Sequence, residues 1–291
     1  MFCNTCNKIF GEGAKFCTGC GTSVENAHGS RSSSATQSAK SGGIGKTIIG
    51  VAIGLFILFG VVYSIQDNQA IESNNNGLEA FDSGNTAESI SQFESARDQA
   101  ATDETKIETL KNLAYAYLSD GKKNQAIATF QEALALAPSG SSNFYLISGE
   151  IADAQNNPTL AESSYLSAYK VEPDSAQINN SLALFYADIE DLHSQFVDYP
   201  KALAYAKKAN SYDVSEIFRA NLAIIYYLNE DYDNVIAILK TQDFTTKPHL
   251  ALWLGYAYFH KDNEPSAKYY FRIAVNGGAS VPQEVTDYLS Q

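Results

Sequence analysis

The sequence predicts a mainly α-helical chain: a solenoid of paired helices, preceded by a small metal-binding module and one membrane-spanning helix. Three observations carry this prediction. Four cysteines fall in two C-x-x-C pairs before residue 21. Residues Thr47 to Gln66, TIIGVAIGLFILFGVVYSIQ, make an uncharged and mostly apolar run between Lys46 and Asp67. From residue 70 onward, small and aromatic residues recur with a period of roughly 34.

The cysteine module comes first. Cys3 and Cys6 form one pair and Cys17 and Cys20 a second, ten residues later. Two such turns can place four thiolates tetrahedrally around one Zn²⁺. Gly21 follows the second pair, where a knuckle turn needs positive φ. A redox dithiol would want a strand–helix context, which the sequence lacks. Residues 1–24 resemble the short zinc-ribbon at the N-terminus of many prokaryotic membrane and signalling proteins, through Lys15-Phe16-Cys17-Thr18-Gly19-Cys20-Gly21. The first knuckle departs from that pattern, with Asn4 and Asn7 in place of Pro and Gly. The resemblance implies one structural zinc. With only Lys8 and Lys15 as basic residues inside the module, a structural or protein-contact role fits better than nucleic-acid binding.

Residues 25–46 read as a flexible linker, rich in Ser, Gly and Ala up to Gly43. GGIGKT at 42–47 is not a phosphate loop: Lys40 stands where the first glycine is needed, and no strand precedes it. The run 47–66 then spans roughly 30 Å as a helix, the thickness of a hydrocarbon core. Gly50 and Gly54 make a G-x-x-x-G face within it, the pattern of a homodimer contact.

Charge orients that helix. Residues 1–66 hold five Lys or Arg and two acids, a net +3; the whole chain is −13, so residues 67–291 carry −16. Short basic segments resist translocation, so the N-terminus is expected in the cytoplasm and residues 67–291 outside, on a single-pass cell-membrane anchor. The confinement of all cysteines to the inner part agrees with that topology. A −16 segment is repelled by nucleic acid, which is not expected as a partner.

Residues 70–281 divide into about six units. The clearest starts near Ile107 and carries Leu110, Leu113-Ala114, Tyr117, Gly121, Ala126, Phe130, Ala133 and Pro138. Others start near Ser142 (Tyr145, Gly149, Ala152, Ala161, Tyr165, Ala168) and Pro248 (Leu254-Gly255, Tyr258, Ala267, Phe271, Ala274). Weaker copies start near Ala70, Ala176 and Glu216. The units resemble the tetratricopeptide repeat, and the resemblance covers nearly the whole outer segment. It implies two short amphipathic helices per unit, with a small residue where they touch. Stacking such units buries a continuous core. Residues 187–201 lengthen the fourth unit by about seven residues, as an extended helix or an inserted loop. Residues 282–291 are expected to form a capping helix.

The same resemblance places partner contacts on the first helix of each unit, along a concave face. Its registers put Glu108, Lys111 and Tyr115 there, then Asn143, Glu150 and Asp153. Gln177 and Asn180 follow, then Tyr256 and Phe259 with His260 beside them. Lys111, Tyr115, Asn143, Asn180, Tyr256 and Phe259 are the candidate partner-binding residues, and a protein or peptide is the partner their mixture of aromatic and hydrogen-bonding groups suits. Tyr115 and Tyr256 are expected to lie away from helix-packing positions. One lysine is too few for the two-carboxylate clamp of some chaperone-binding repeats. His193, His249 and His260 are scattered, and no catalytic constellation is visible. The chain therefore reads as a non-enzymatic, membrane-anchored interaction scaffold or adaptor. The alternatives are a transmembrane sensor whose array binds an external ligand, or an accessory subunit of an envelope enzyme or secretion complex.

Overall fold

A computed structural model describes residues 64–188, 194–245 and 247–291. The four cysteines, the linker, Gly50, Gly54, His193 and all but the last three residues of the apolar run lie outside this set. No helix among the described residues is long and apolar enough to cross a membrane.

Thirteen helices follow one another among the described residues. They are α1 (64–82), α2 (Thr86–Gln99), α3 (Asp103–Ser119), α4 (Lys123–Leu136), α5 (Ser142–Ala154), α6 (Pro158–Val171), α7 (Ala176–Ala187), α8 (Tyr199–Tyr212), α9 (Glu216–Leu228), α10 (Tyr232–Leu239), α11 (Pro248–His260), α12 (Glu264–Asn276) and α13 (Gln283–Ser290). The first twelve form six antiparallel pairs, and α13 packs Val285 against Phe271 of the last.

One rule shapes each pair. A small residue on the first helix faces a large one sixteen positions later on the second. An added Cβ at Gly77 would lie 2.6 Å from the ring of Phe93. At Gly149 it would lie 2.5 Å from Tyr165, and at Gly255 2.5 Å from Phe271. Phe93, Tyr165 and Phe271 are each at most 2% exposed. Ala114 with Phe130, and Ala223 with Leu239, repeat the register with the larger small residue, and all four are buried. The glycines let the second helix approach closely enough to seat an aromatic ring in place of a side-chain pair.

Turns and caps are as periodic as the packing. The link between the helices of a pair takes one residue at positive φ: Gly84 (75°), Gly121 (70°), Asn156 (58°), Glu230 (60°) and Asp262 (55°). Four of these second helices then start on a side-chain cap, α4 being the exception. Asn85, Asn157, Asp231 and Asn263 each accept a bond from the backbone amide three residues on.

The fourth pair departs from this rule. Its first helix stops at Ala187, Asp188 takes φ 42°, and a short 3₁₀ turn at Ser194–Phe196 precedes the second helix. The Asp198 amide donates to the Tyr186 carbonyl at 3.0 Å and brings the chain back. Here α7 and α8 bury Ala183 and Ala206 in one cluster, and the aromatic bulk lies next door. Tyr186 stacks on Tyr205 at 6.0 Å, and Phe196 meets Phe185 at 5.6 Å.

Candidate functional site: the inner face of the helix array

First helices bond to first helices, which defines the inner face. The Asn112 amide of α3 donates to Asn74 Oδ1 of α1 at 3.0 Å. The Asn221 amide of α9 donates to Asn180 Oδ1 of α7 at 3.0 Å. Lys111 of α3 reaches past the third pair: its Nζ donates to Gln177 Oε1 of α7 at 2.8 Å and to Glu108 Oε2 at 2.6 Å. At 1% exposure the Lys111 ammonium is committed to the chain's own acceptors. Such a buried cation is stable only because both partners are in place.

Behind Lys111 lies a polar cluster that joins three pairs. Glu150 of α5 is 8% exposed and accepts from Ser181 Oγ of α7 at 2.8 Å. Tyr115 of α3 and Tyr165 of α6 also bond to it. Tyr165 OH further lies 3.4 Å from Asp153 Oδ2. Burial, with Asp153 nearby, pushes the Glu150 carboxyl up to about 7, although the three hydroxyls oppose the shift. Burial and the Glu150 charge push both tyrosine hydroxyls well above their ordinary range. This cluster supports structure more than chemistry, because it is closed to solvent.

Tyrosine–carboxylate bonds tie one pair to the next on the other side. Tyr117 OH of α3 donates to Glu94 of α2 at 2.6 Å, and Tyr186 OH of α7 donates to Glu162 of α6 at 2.6 Å. Desolvation, helped by Glu94, lifts the Tyr117 hydroxyl to about 12. A charged pair also links distant helices: Lys247, ahead of α11, bonds Glu216 and lies 3.6 Å from Asp82 at the end of α1.

Most of the candidate residues fall into two groups, with Asn143 and Asn180 apart from both. Lys111, Tyr115, Glu150 and Gln177 meet in the network just described. Asn143 is half-buried at the start of α5. Asn180 serves the α7–α9 bond. Tyr256, Phe259 and His260 belong to a separate aromatic group on α9–α13. In it Tyr227 lies 5.2 Å from Trp253 and 6.0 Å from Tyr256. Tyr232 stacks on His260 at 4.6 Å, and Tyr227 OH is 3.2 Å from His260 Nε2. Phe259 is 47% exposed and meets Tyr288 of α13 edge-on at 5.3 Å.

One expectation is corrected. Tyr115 and Tyr256 do occupy helix-packing positions, because each follows the small residue of its pair and meets the facing ring edge-on: Tyr115 on Phe130 at 5.4 Å, Tyr256 on Phe271 at 5.1 Å. Missed altogether were Asn74, Asn112 and Asn221. Their signal was faint, an asparagine recurring near the middle of first helices, which looks like any solvent-facing polar residue.

Residues 74–141 and 111–176 match the tetratricopeptide repeat family. Over 58 residues, 20% of this chain, the sequence is 38% identical to the photosystem I assembly protein Ycf3 of Synechococcus sp. strain WH7803, and equally to that of strain CC9605. The chain spans about a third, 34%, of the length of those relatives. Among solved structures, a chain of the APC/C hetero-tetramer Cut9–Hcn1 is similar over 81% of this chain and 45% of that one, with a TM-score of 0.52 at 17% identity. That likeness is one of fold. The described part of the chain is a tetratricopeptide-like solenoid of helix pairs, and residues 74–176 carry the repeats that match the family.

Proposed function

We propose that residues 67–291 are the extracytoplasmic, protein-binding part of a single-pass membrane scaffold or adaptor. Its N-terminus lies in the cytoplasm, where Cys3, Cys6, Cys17 and Cys20 hold one structural Zn²⁺. The observation that carries the binding role is the inner face. There the array presents half-buried Asn143 on α5 and, further along the chain, the half-open aromatic group of Tyr256 and Phe259. Tetratricopeptide repeats bind protein partners, and the Synechococcus proteins are named for assembly of a complex. The reading is therefore of an assembly or tethering protein rather than an enzyme. Gly50 and Gly54 provide the homodimer contact in the anchor, and nucleic acid is not a partner.

The topology is tested with an impermeant thiol reagent on intact cells. Ser139→Cys should be labelled and Ser33→Cys should not; the opposite pattern reverses the orientation. The metal is tested by elemental analysis of the purified chain, with one zinc expected and its loss in Cys17→Ser. The scaffold role is tested by crosslinking in native membranes and mass spectrometry. A defined set of proteins should co-purify and should vanish when residues 67–291 are removed. An unchanged set after that truncation would exclude the array as the binding part.

A further inference from the structure

We propose that the cleft between α1 and α3 is a subsite for a lysine or arginine side chain of a partner protein. It encloses about 370 Å³ and is lined by Ile71, Asn74, Glu104, Thr105, Glu108 and Thr109. The proposal rests on the reading of the inner face as a protein-binding surface and specifies the chemistry of part of what binds there.

The charge around the cleft is one-sided. Glu104 and Glu108 form its wall. Asp67 accepts from Thr105 Oγ1 at 2.9 Å, which brings a third carboxylate beside them. Lys111 supplies one ammonium, already divided between Glu108 and Gln177. Three carboxylates thus stand in this region against one ammonium, which pairs with Glu108 alone of the three, within a segment of net −16. An acidic occupant is repelled and a cationic one attracted.

A second, independent observation concerns Thr109. It borders the cleft, is 1% exposed, and its Oγ1 has no hydrogen-bond partner among the described residues. A buried hydroxyl left without a partner is unfavourable, and a donor that reaches it from the cleft removes that penalty. Asn74 Oδ1 accepts one bond, from Asn112, and keeps a second lone pair. Two neutral acceptors and the Glu104 carboxylate therefore belong to residues that line one cleft. An ammonium or guanidinium brings several donors and no acceptor, which is the complement of that set. Ile71, 46% exposed, supplies apolar surface for the aliphatic stem.

The test uses the full chain in nanodiscs of zwitterionic lipid and a fluorescent Ala-Lys-Ala-Lys-Ala peptide, read by anisotropy. Saturable binding is expected, with none for the peptide carrying norleucine at both lysines. Glu104→Gln and Thr109→Val should each weaken binding by about threefold or more. Glu264→Gln, a carboxylate on α12 outside the cleft, should leave it unchanged. Glu104 is exposed, so its variant stays informative even if Thr109→Val lowers the melting temperature. Equal binding of the norleucine peptide, equal weakening by Glu264→Gln, or no effect of Glu104→Gln would overturn the subsite. If the peptide fails while a photocrosslinker at Asn143 still captures a protein, the subsite is wrong and the inner-face reading stands. If the peptide binds as described while the crosslinker captures nothing, the subsite stands and that reading fails.

Discussion

Tyr115 of α3 sets its ring edge-on against Phe130 of α4, with 5.4 Å between centroids and 81° between planes. Its hydroxyl meanwhile bonds to Glu150 of the next pair. One side chain therefore closes its own pair and ties it to its neighbour. Tyr256 repeats the ring contact on Phe271, where the planes meet at 76°.

Removing Tyr115 should cost stability. Tyr115→Ala loses the edge contact and leaves Glu150 short of a donor, and the expected loss is about 2–4 kcal/mol. Tyr115→Phe keeps the ring and should lose about 1 kcal/mol, the bond alone. Thermal unfolding of the two variants checks the ratio. Equal losses would mean the ring contact contributes nothing.

Gly255→Leu should overpack the last pair. Its Cβ would lie 2.5 Å from the ring of Phe271, which is 2% exposed and cannot move into solvent. The expected cost is about 1–3 kcal/mol. Gly149→Leu, facing Tyr165, should behave alike. An unchanged melting temperature in either variant would contradict the close approach of the two helices.

The solenoid class and its small-against-large register were legible in the sequence because Gly77, Gly149 and Gly255 each stand sixteen residues before an aromatic residue. That spacing follows from two helices and one turn of constant length, and it breaks only in the fourth pair, whose second helix starts later in the sequence, at Tyr199. The inner-face network was not legible. Lys111 and Gln177 are 66 residues apart, and their pairing depends on how three intervening helices stack. No local pattern marks it. The packing role of Tyr115 was missed for a related reason: a position adjacent to the small residue points partly inward once the second helix comes close.

Stability should fall as pH rises through neutrality, because of Glu150. Its carboxyl is near 7 when folded and near 4.5 as an unperturbed group, so the folded chain holds an extra proton between those values. The contribution is fully present below about 4.5 and is lost as pH rises through about 7, on the order of 3 kcal/mol in total. Glu150→Gln should flatten the profile between pH 5 and 8 and be the more stable form at pH 8. Chemical denaturation across that range decides it. A wild-type chain whose stability rises steadily from pH 5 to 8, matched by the variant, would remove Glu150 as the cause.

Glu230 takes φ 60° where the equivalent turns use Gly84 and Gly121. A side chain there costs roughly 1 kcal/mol, so Glu230→Gly should raise the melting temperature by a few degrees. A lower melting temperature would show that the unfolded-state entropy of glycine outweighs the relieved strain.

The claim that the inner face receives a protein partner is tested most directly by site-specific photocrosslinking in native membranes. The crosslinker is placed at Asn143, on the first helix of the third pair, or at Tyr269, which is 59% exposed on α12, a second helix. The account predicts a discrete protein adduct from Asn143 and none from Tyr269. Adducts from Tyr269 alone, or the same adducts from both positions, would contradict it.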